Sequence, residues 1–217
     1  MNTLKEEPTV KGTCVSYKLD VGCGAGPLAK TLLEAGFEVT GMDTSVELLE
    51  IARSVIPAAR FLNASAYDTP IPACEAVAAL GEPLTHHEGS NADQLVNGFF
   101  QSVSSVLPPG GLLIFDMIEL GEPSLSGRSW SLGDDWAVLV ETAENQSKRI
   151  LVREIETFRR IGEFYRRGRE VHKVRLFDTN ALCAELSSCG FTVKTAKSYG
   201  GQPLPPRRRV FIATRNG

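Results

Sequence analysis

No apolar run in this sequence approaches the roughly 20 residues that a membrane-spanning helix requires. The stretch from Met1 to Lys11 is polar and lacks the hydrophobic centre of a secretory signal. Cysteine is sparse: Cys14, Cys23, Cys74, Cys183 and Cys189 form no C-x-x-C pair, and their odd number argues against a disulfide framework. Neither a zinc site nor any other metal centre is expected, and reduced thiols fit a cytoplasmic protein. Excess positive charge is missing too. With a formal net charge of −3, the chain as a whole is not drawn to nucleic acid. There is no internal repeat and no low-complexity tract, and 217 residues suffice for one well-filled domain, 1–217.

What is present is a concentration of glycine near the front. Tyr17 to Gly26 reads Y-K-L-D-V-G-C-G-A-G, with Gly22, Gly24 and Gly26 alternating after an apolar run. Glycine reaches positive φ without a Cβ clash and lets backbone approach a ligand closely, so the run predicts a tight strand-to-helix turn around something. Pro27 suits the first helical position, where its missing N–H is not needed. It also breaks the dinucleotide fingerprint G-x-G-x-x-G, which disfavours a dehydrogenase.

The pattern acidic-x-Gly-x-Gly-x-Gly, supplied by Asp20, Gly22, Gly24 and Gly26, resembles the first motif of the Rossmann-like S-adenosylmethionine-dependent methyltransferases. Further segments resemble that family in the right order. Asp43 closes a second strand at about the 20-residue offset where an acidic residue meets a ribose in Rossmann-type folds. N-A-S-A-Y-D-T-P-I-P stands where the family usually reads G-D-A, with Ser65 in place of the aspartate that would hold the adenine amino group. L-P-P-G-G-L-L-I-F-D resembles the helix, turn and strand after the fourth strand.

The resemblance implies S-adenosyl-L-methionine as cofactor, S-adenosyl-L-homocysteine as product, and a small-molecule methyl acceptor. It implies a cofactor-binding set of Asp20, Gly22, Cys23, Gly24, Gly26, Asp43, Thr44, Ser65, Ala66, Leu80 and Gly81, with Asp68 a further candidate for the adenine. It also implies an α/β fold: a Rossmann-like three-layer sandwich with a mostly parallel seven-stranded sheet whose last strand is antiparallel.

Periodicity places the elements. Thr13 to Val21 reads as a strand, Pro27 to Ala35 as a helix ended by Gly36, and Phe37 to Met42 as a strand. Thr44 to Glu47 has the T-x-x-E form of a capping box before the next helix. Ala59 to Leu62 and Glu75 to Leu80 read as the third and fourth strands, and Ser90 as the cap of a helix that Pro108 to Gly111 stop. After Ile118 the alternation of strand and helix ends. Trp136 to Thr142, Arg149 to Phe158 and Phe164 to Phe177 are long and β-rich, which predicts an antiparallel excursion after the fifth strand, about 128–177, between core segments 13–118 and 178–217. Thr179 to Cys189 then reads as a helix, and Phe191 to Ser198 and Val210 to Thr214 as the closing strands.

Methyl transfer asks a protein to hold the acceptor in line, exclude water and, for an amine or hydroxyl, remove a proton. His86 and His87 follow the fourth strand, where open sheets face their ligands. In an extended strand Glu170 and His172 share one face, so Glu170 would orient His172 as a base. The catalytic candidates are therefore His172, His87 and Glu170, with His86 behind them. The excursion resembles the layer that covers the active site in sugar N-methyltransferases. Arg159, Arg160, Arg166, Arg167 and Arg169, with Arg207 to Arg209, would suit an acidic substrate, but Glu154, Glu156, Glu163 and Glu170 are interleaved for cross-strand pairing.

The reading is thus an enzyme that methylates an N or O atom of a small molecule, as monomer or homodimer. The alternative is a non-catalytic S-adenosylmethionine-binding protein on the same scaffold, since few residues precede Asp20 and relatives generally carry a helical lid there. With residues 1–12 read as a poorly ordered lead-in, the cofactor edge near Gly22 to Gly26 is expected to stay open.

Overall fold

The computed structural model describes residues 16–86 and 91–217. The expectations for residues 1–12, for the front of the first strand, for His87 and for the Ser90 cap lie outside them.

The front half alternates strand and helix: β1 (Tyr17–Val21), α1 (Pro27–Glu34), β2 (Glu38–Asp43), α2 (Val46–Val55), β3 (Arg60–Asn63), β4 (Ala76–Ala79), α3 (Ala92–Val106) and β5 (Leu112–Ile118). Four antiparallel strands follow, β6 (Gly127–Leu132), β7 (Trp136–Asn145), β8 (Ile150–Ile161) and β9 (Phe164–Arg175). The chain then returns through α4 (Thr179–Ser188), β10 (Phe191–Ala196), the short β11 (Ser198–Tyr199) and β12 (Gln202–Pro203), and β13 (Arg208–Arg215).

The main sheet has the order β10-β13-β5-β4-β1-β2-β3, and β13 runs antiparallel to both of its neighbours while the remaining pairs are parallel. Strand parity sorts side chains onto its two faces. Leu19 and Val21 of β1 enter the larger apolar cluster beneath α3 and α4, with Phe99, Phe100, Phe115 and Leu186. Opposite it, Ala29 of α1 and Leu49 and Ala52 of α2 pack on Val39 and Phe61. The result is the expected three-layer α/β sandwich. Phe115 and Phe211 stack at 4.8 Å and tie β5 to β13 in the middle of the larger cluster.

Among the described residues, the four-stranded sheet joins this body at one end. Ile118 of β5, Leu151 of β8, Val174 of β9 and Leu176 form a small buried cluster at the joint. Beside it Arg207 Nη1 lies 2.8 Å from Glu144, both side chains almost wholly buried. At the far end Trp130, Leu132 and Phe164 are exposed.

Some local expectations are corrected. The cap of α2 is Ser45, whose Oγ accepts the Leu48 N–H, and not Thr44; Ser45 has the extended backbone that a cap needs. β6 lies at the front of the expected β layer but was given no strand of its own, being short and exposed throughout. The loop after Ser198 contains the small β11–β12 hairpin. In agreement with the interleaved glutamates, six of the eight arginines singled out are paired: Arg167 with Glu156, Arg169 with Glu154 and Arg159 with Asp135 on the four-stranded sheet, and Arg207, Arg208 and Arg209 with Glu144, Glu82 and Glu119.

Candidate active site

The C-terminal ends of β1, β2 and β4 open into a cavity of about 400 Å³. The glycine turn after β1 forms one wall, and its members have different tasks. Gly22 stands at φ +69°, and a Cβ there would run into Pro83, so this glycine allows the turn to pack on the segment after β4. Gly24 stands at φ +53°, and a Cβ there would meet only Leu48 Cδ1, at 3.9 Å, projecting into the cavity instead.

Asp43 is set at the mouth of this turn. Its Oδ2 accepts the Gly24 N–H at 2.8 Å and its Oδ1 the Ser45 N–H at 2.9 Å. Each oxygen keeps a lone pair, and the two donors fix the plane of the carboxylate. Thus Asp43 both helps to hold the start of α2 and lines the cavity. Behind the turn, Asp20 lies near the Ala29 backbone N–H of α1, which partly offsets the rise in its pKa. It is 3% exposed, and its Oδ2 has no hydrogen-bond partner. Burial, helped by the nearby Asp43 charge, raises its carboxyl to about 7.

The opposite wall is Ala64, Ser65, Ala66 and Tyr67. Ser65 Oγ accepts the Tyr67 N–H at 3.2 Å, and Tyr67 Oη donates to the Leu84 carbonyl at 2.6 Å, bracing this wall against the segment after β4. That segment, from Gly81 through a tight turn at Pro83–Thr85 to His86, forms the third side. The Gly81 N–H donates to the buried Asp116 Oδ1 at 2.6 Å.

His86 is where the cavity meets the four-stranded sheet. Its ring contacts that of His172 at a centroid distance of 5.6 Å and an interplanar angle of 87°. His172 Nε2 lies 2.9 Å from Glu170 Oε2. Burial lowers the His86 pKa, and the neighbouring His172 and Arg153 lower it further.

Of the cofactor set read from the sequence, Gly22, Gly24, Asp43, Thr44, Ser65, Ala66 and Gly81 line the cavity. Asp20, Cys23, Gly26 and Leu80 are not among its lining residues. Cys23 is buried, with its thiol pushed up to about 12 mainly by burial, and a Cβ on Gly26 would meet Ile56. Asp68 is exposed and outside the lining, with Thr69 Oγ1 at 3.4 Å. Val21, Met42, Leu48, Ala64, Tyr67, Pro83 and Leu84 also line the cavity and were not among the site residues read from the sequence. The aromatic of the N-A-S-A-Y segment was the available signal for Tyr67.

These residues suit S-adenosylmethionine. Gly24 leaves open the space that a side chain would fill, and Asp20 holds a buried oxygen without a partner beneath the same turn. Residues 19–111 match the family model described as a methyltransferase domain. That match covers the cofactor-binding half of the sheet, and the strand order agrees with the Rossmann-like fold of S-adenosylmethionine-dependent methyltransferases.

A protein of Bacillus subtilis (strain 168), YqeM, is 27% identical over 207 residues, covering 89% of this chain and 81% of its own length. An S-adenosylmethionine-dependent methyltransferase of Clostridium acetobutylicum ATCC 824 has a similar structure, with a TM-score of 0.80 at 20% identity, covering 93% of this chain and 85% of that one. The sugar N-methyltransferase KedS8 of Streptoalloteichus sp ATCC 53650 gives 0.77 at 20%, covering 94% and 81%.

Proposed function

We propose that this protein methylates a nitrogen or oxygen atom of a small molecule, with His172 as the base that frees the acceptor's lone pair. The observation that carries the reading is the edge contact between His86, on the cavity, and His172, on the sheet beside it. The name of the KedS8 protein, a sugar N-methyltransferase on the same fold, favours an acceptor of this kind.

Bound S-adenosylmethionine supplies an electrophilic methyl group and leaves as the neutral thioether S-adenosylhomocysteine. Asp43 would hold the ribose hydroxyls with the lone pairs that Gly24 and Ser45 leave unused. Ser65 and Ala66 would face the adenine. Leu48 and Tyr67 supply apolar walls that exclude water.

An ionised Glu170 can only accept, so it holds the proton of neutral His172 on Nε2 and leaves Nδ1 as the basic atom. Glu170 thereby fixes the orientation of the His172 ring, as an orienting carboxylate does for a general base.

The test is production of S-adenosylhomocysteine from S-adenosylmethionine across a panel of small amines, amino sugars and hydroxyl compounds. With any acceptor found, His172→Ala is expected to lower turnover by ~10²-fold or more while cofactor affinity stays nearly constant. Equal turnover by the variant removes His172 from the role. No turnover with any acceptor, alongside normal cofactor binding, favours a binding protein instead.

A further inference from the structure

Glu82 is the least expected residue around the cavity. Its side chain is 2% exposed and its backbone stands at φ +69°, in the left-handed region that side chains rarely adopt. A strained, buried carboxylate persists only when its surroundings hold it. Here they do so from two separate sheets. Arg208 of β13, in the main sheet, pairs with Glu82 and also lies 3.4 Å from Asp116 Oδ2. Arg153 of β8, in the four-stranded sheet, grips Glu82 with both prongs, Nη1 to Oε2 at 3.1 Å and Nη2 to Oε1 at 3.3 Å.

Both ends of the histidine contact lead back to this carboxylate. Arg153 lies directly across the β8–β9 ladder from His172. The Thr85 N–H and Oγ1–H both donate to the Glu82 carbonyl, at 3.0 and 2.7 Å, closing the turn that delivers His86. Desolvating three charged groups offsets much of their attraction, so such a cluster is a poor source of net stability compared with apolar packing. A two-pronged guanidinium–carboxylate pair does fix distance and angle, which apolar contacts do not.

We propose that Glu82 is a positioning residue: through Arg153 it docks the four-stranded sheet on the cofactor cavity in the one alignment that brings His172 against His86. Its consequence for turnover rests on the reading of His172 as the base; the positioning itself does not.

Because the chain has only three histidines, ring-labelled protein gives a simple NMR spectrum. The wild type is expected to show a cross-relaxation signal between the His86 and His172 rings. Arg153→Lys keeps the charge but loses the fork, and Glu82→Gln keeps the shape but loses the charge. Both are expected to abolish that signal and to move the His86 titration up towards the ordinary histidine range. S-adenosylhomocysteine affinity of Arg153→Lys, by calorimetry, is expected to stay within threefold.

Absence of the signal in the wild type overturns the proposal, as does its survival in folded Arg153→Lys. If Glu82→Gln does not fold, Arg153→Lys decides alone. Loss of the ring signal in Arg153→Lys, together with unchanged turnover in His172→Ala, would remove the base and leave the positioning role standing.

Discussion

The rings of His86 and His172 meet edge to face although one follows β4 of the main sheet and the other belongs to β9 of the four-stranded sheet. Two like-charged imidazolium rings in such contact repel. Burial first, and then the neighbouring His172 and Arg153, lowers the His86 pKa, which favours a neutral ring at the cavity wall.

Asp43→Ala is expected to weaken S-adenosylhomocysteine binding by about 1.5 to 3 kcal/mol, the range for hydrogen bonds to a charged group. The same substitution leaves the Gly24 and Ser45 N–H groups without their acceptor, so a lower melting temperature should accompany it. Calorimetry reads the first effect and thermal unfolding the second. An unchanged dissociation constant would separate Asp43 from the ribose.

Gly24→Val should abolish cofactor binding at least as thoroughly. Its side chain would stand in the cavity and its backbone would be strained at φ +53°. A folded variant with wild-type affinity would mean that the cofactor lies elsewhere.

Asp20 predicts a pH effect of definite sign. Folded, its carboxyl titrates near about 7; unfolded, near about 4. Between those values the folded protein keeps a proton that the unfolded chain has lost, so this group makes stability decline as pH rises from about 4 to 7, by on the order of a few kcal/mol. Asp20→Asn should remove that contribution. Urea midpoints of both proteins at pH 5 and pH 8 check it, and identical differences in the two would refute it.

Glu144→Ala should cost about 3 to 5 kcal/mol, because it strands the buried Arg207 guanidinium. The melting temperature is expected to fall by on the order of 10 °C. Cofactor affinity should not follow, since neither residue lines the cavity. A parallel loss of affinity would contradict the separation of joint and cavity.

The walls of the cavity were readable in the sequence because their signals are local: a glycine turn, an acidic strand end and a polar segment after the third strand, each resembling a family motif, line it together. Ser45 was passed over as a cap because Thr44 completes the same box one residue earlier. The acceptor side was not legible in this way. Glu82 and Arg153 lie 71 positions apart, and nothing distinguishes Arg153 from the other arginines of the excursion until register sets it opposite His172. Asp116 read as the end of an apolar strand, and its role as acceptor for Gly81 emerges only when β4 and β5 are paired.

The four-stranded sheet is fastened at its root, by Leu151, Val174 and the Arg207–Glu144 pair, and projects like a beam from a wall. Load on a beam is carried at the wall, while the free tip can be reshaped at little structural expense. Trp130, Leu132 and Phe164 sit at that tip, exposed and far from the joint's contacts. The arrangement separates two roles: residues at the root hold the sheet to the body, and substitutions of the exposed residues towards the tip are expected to cost little stability.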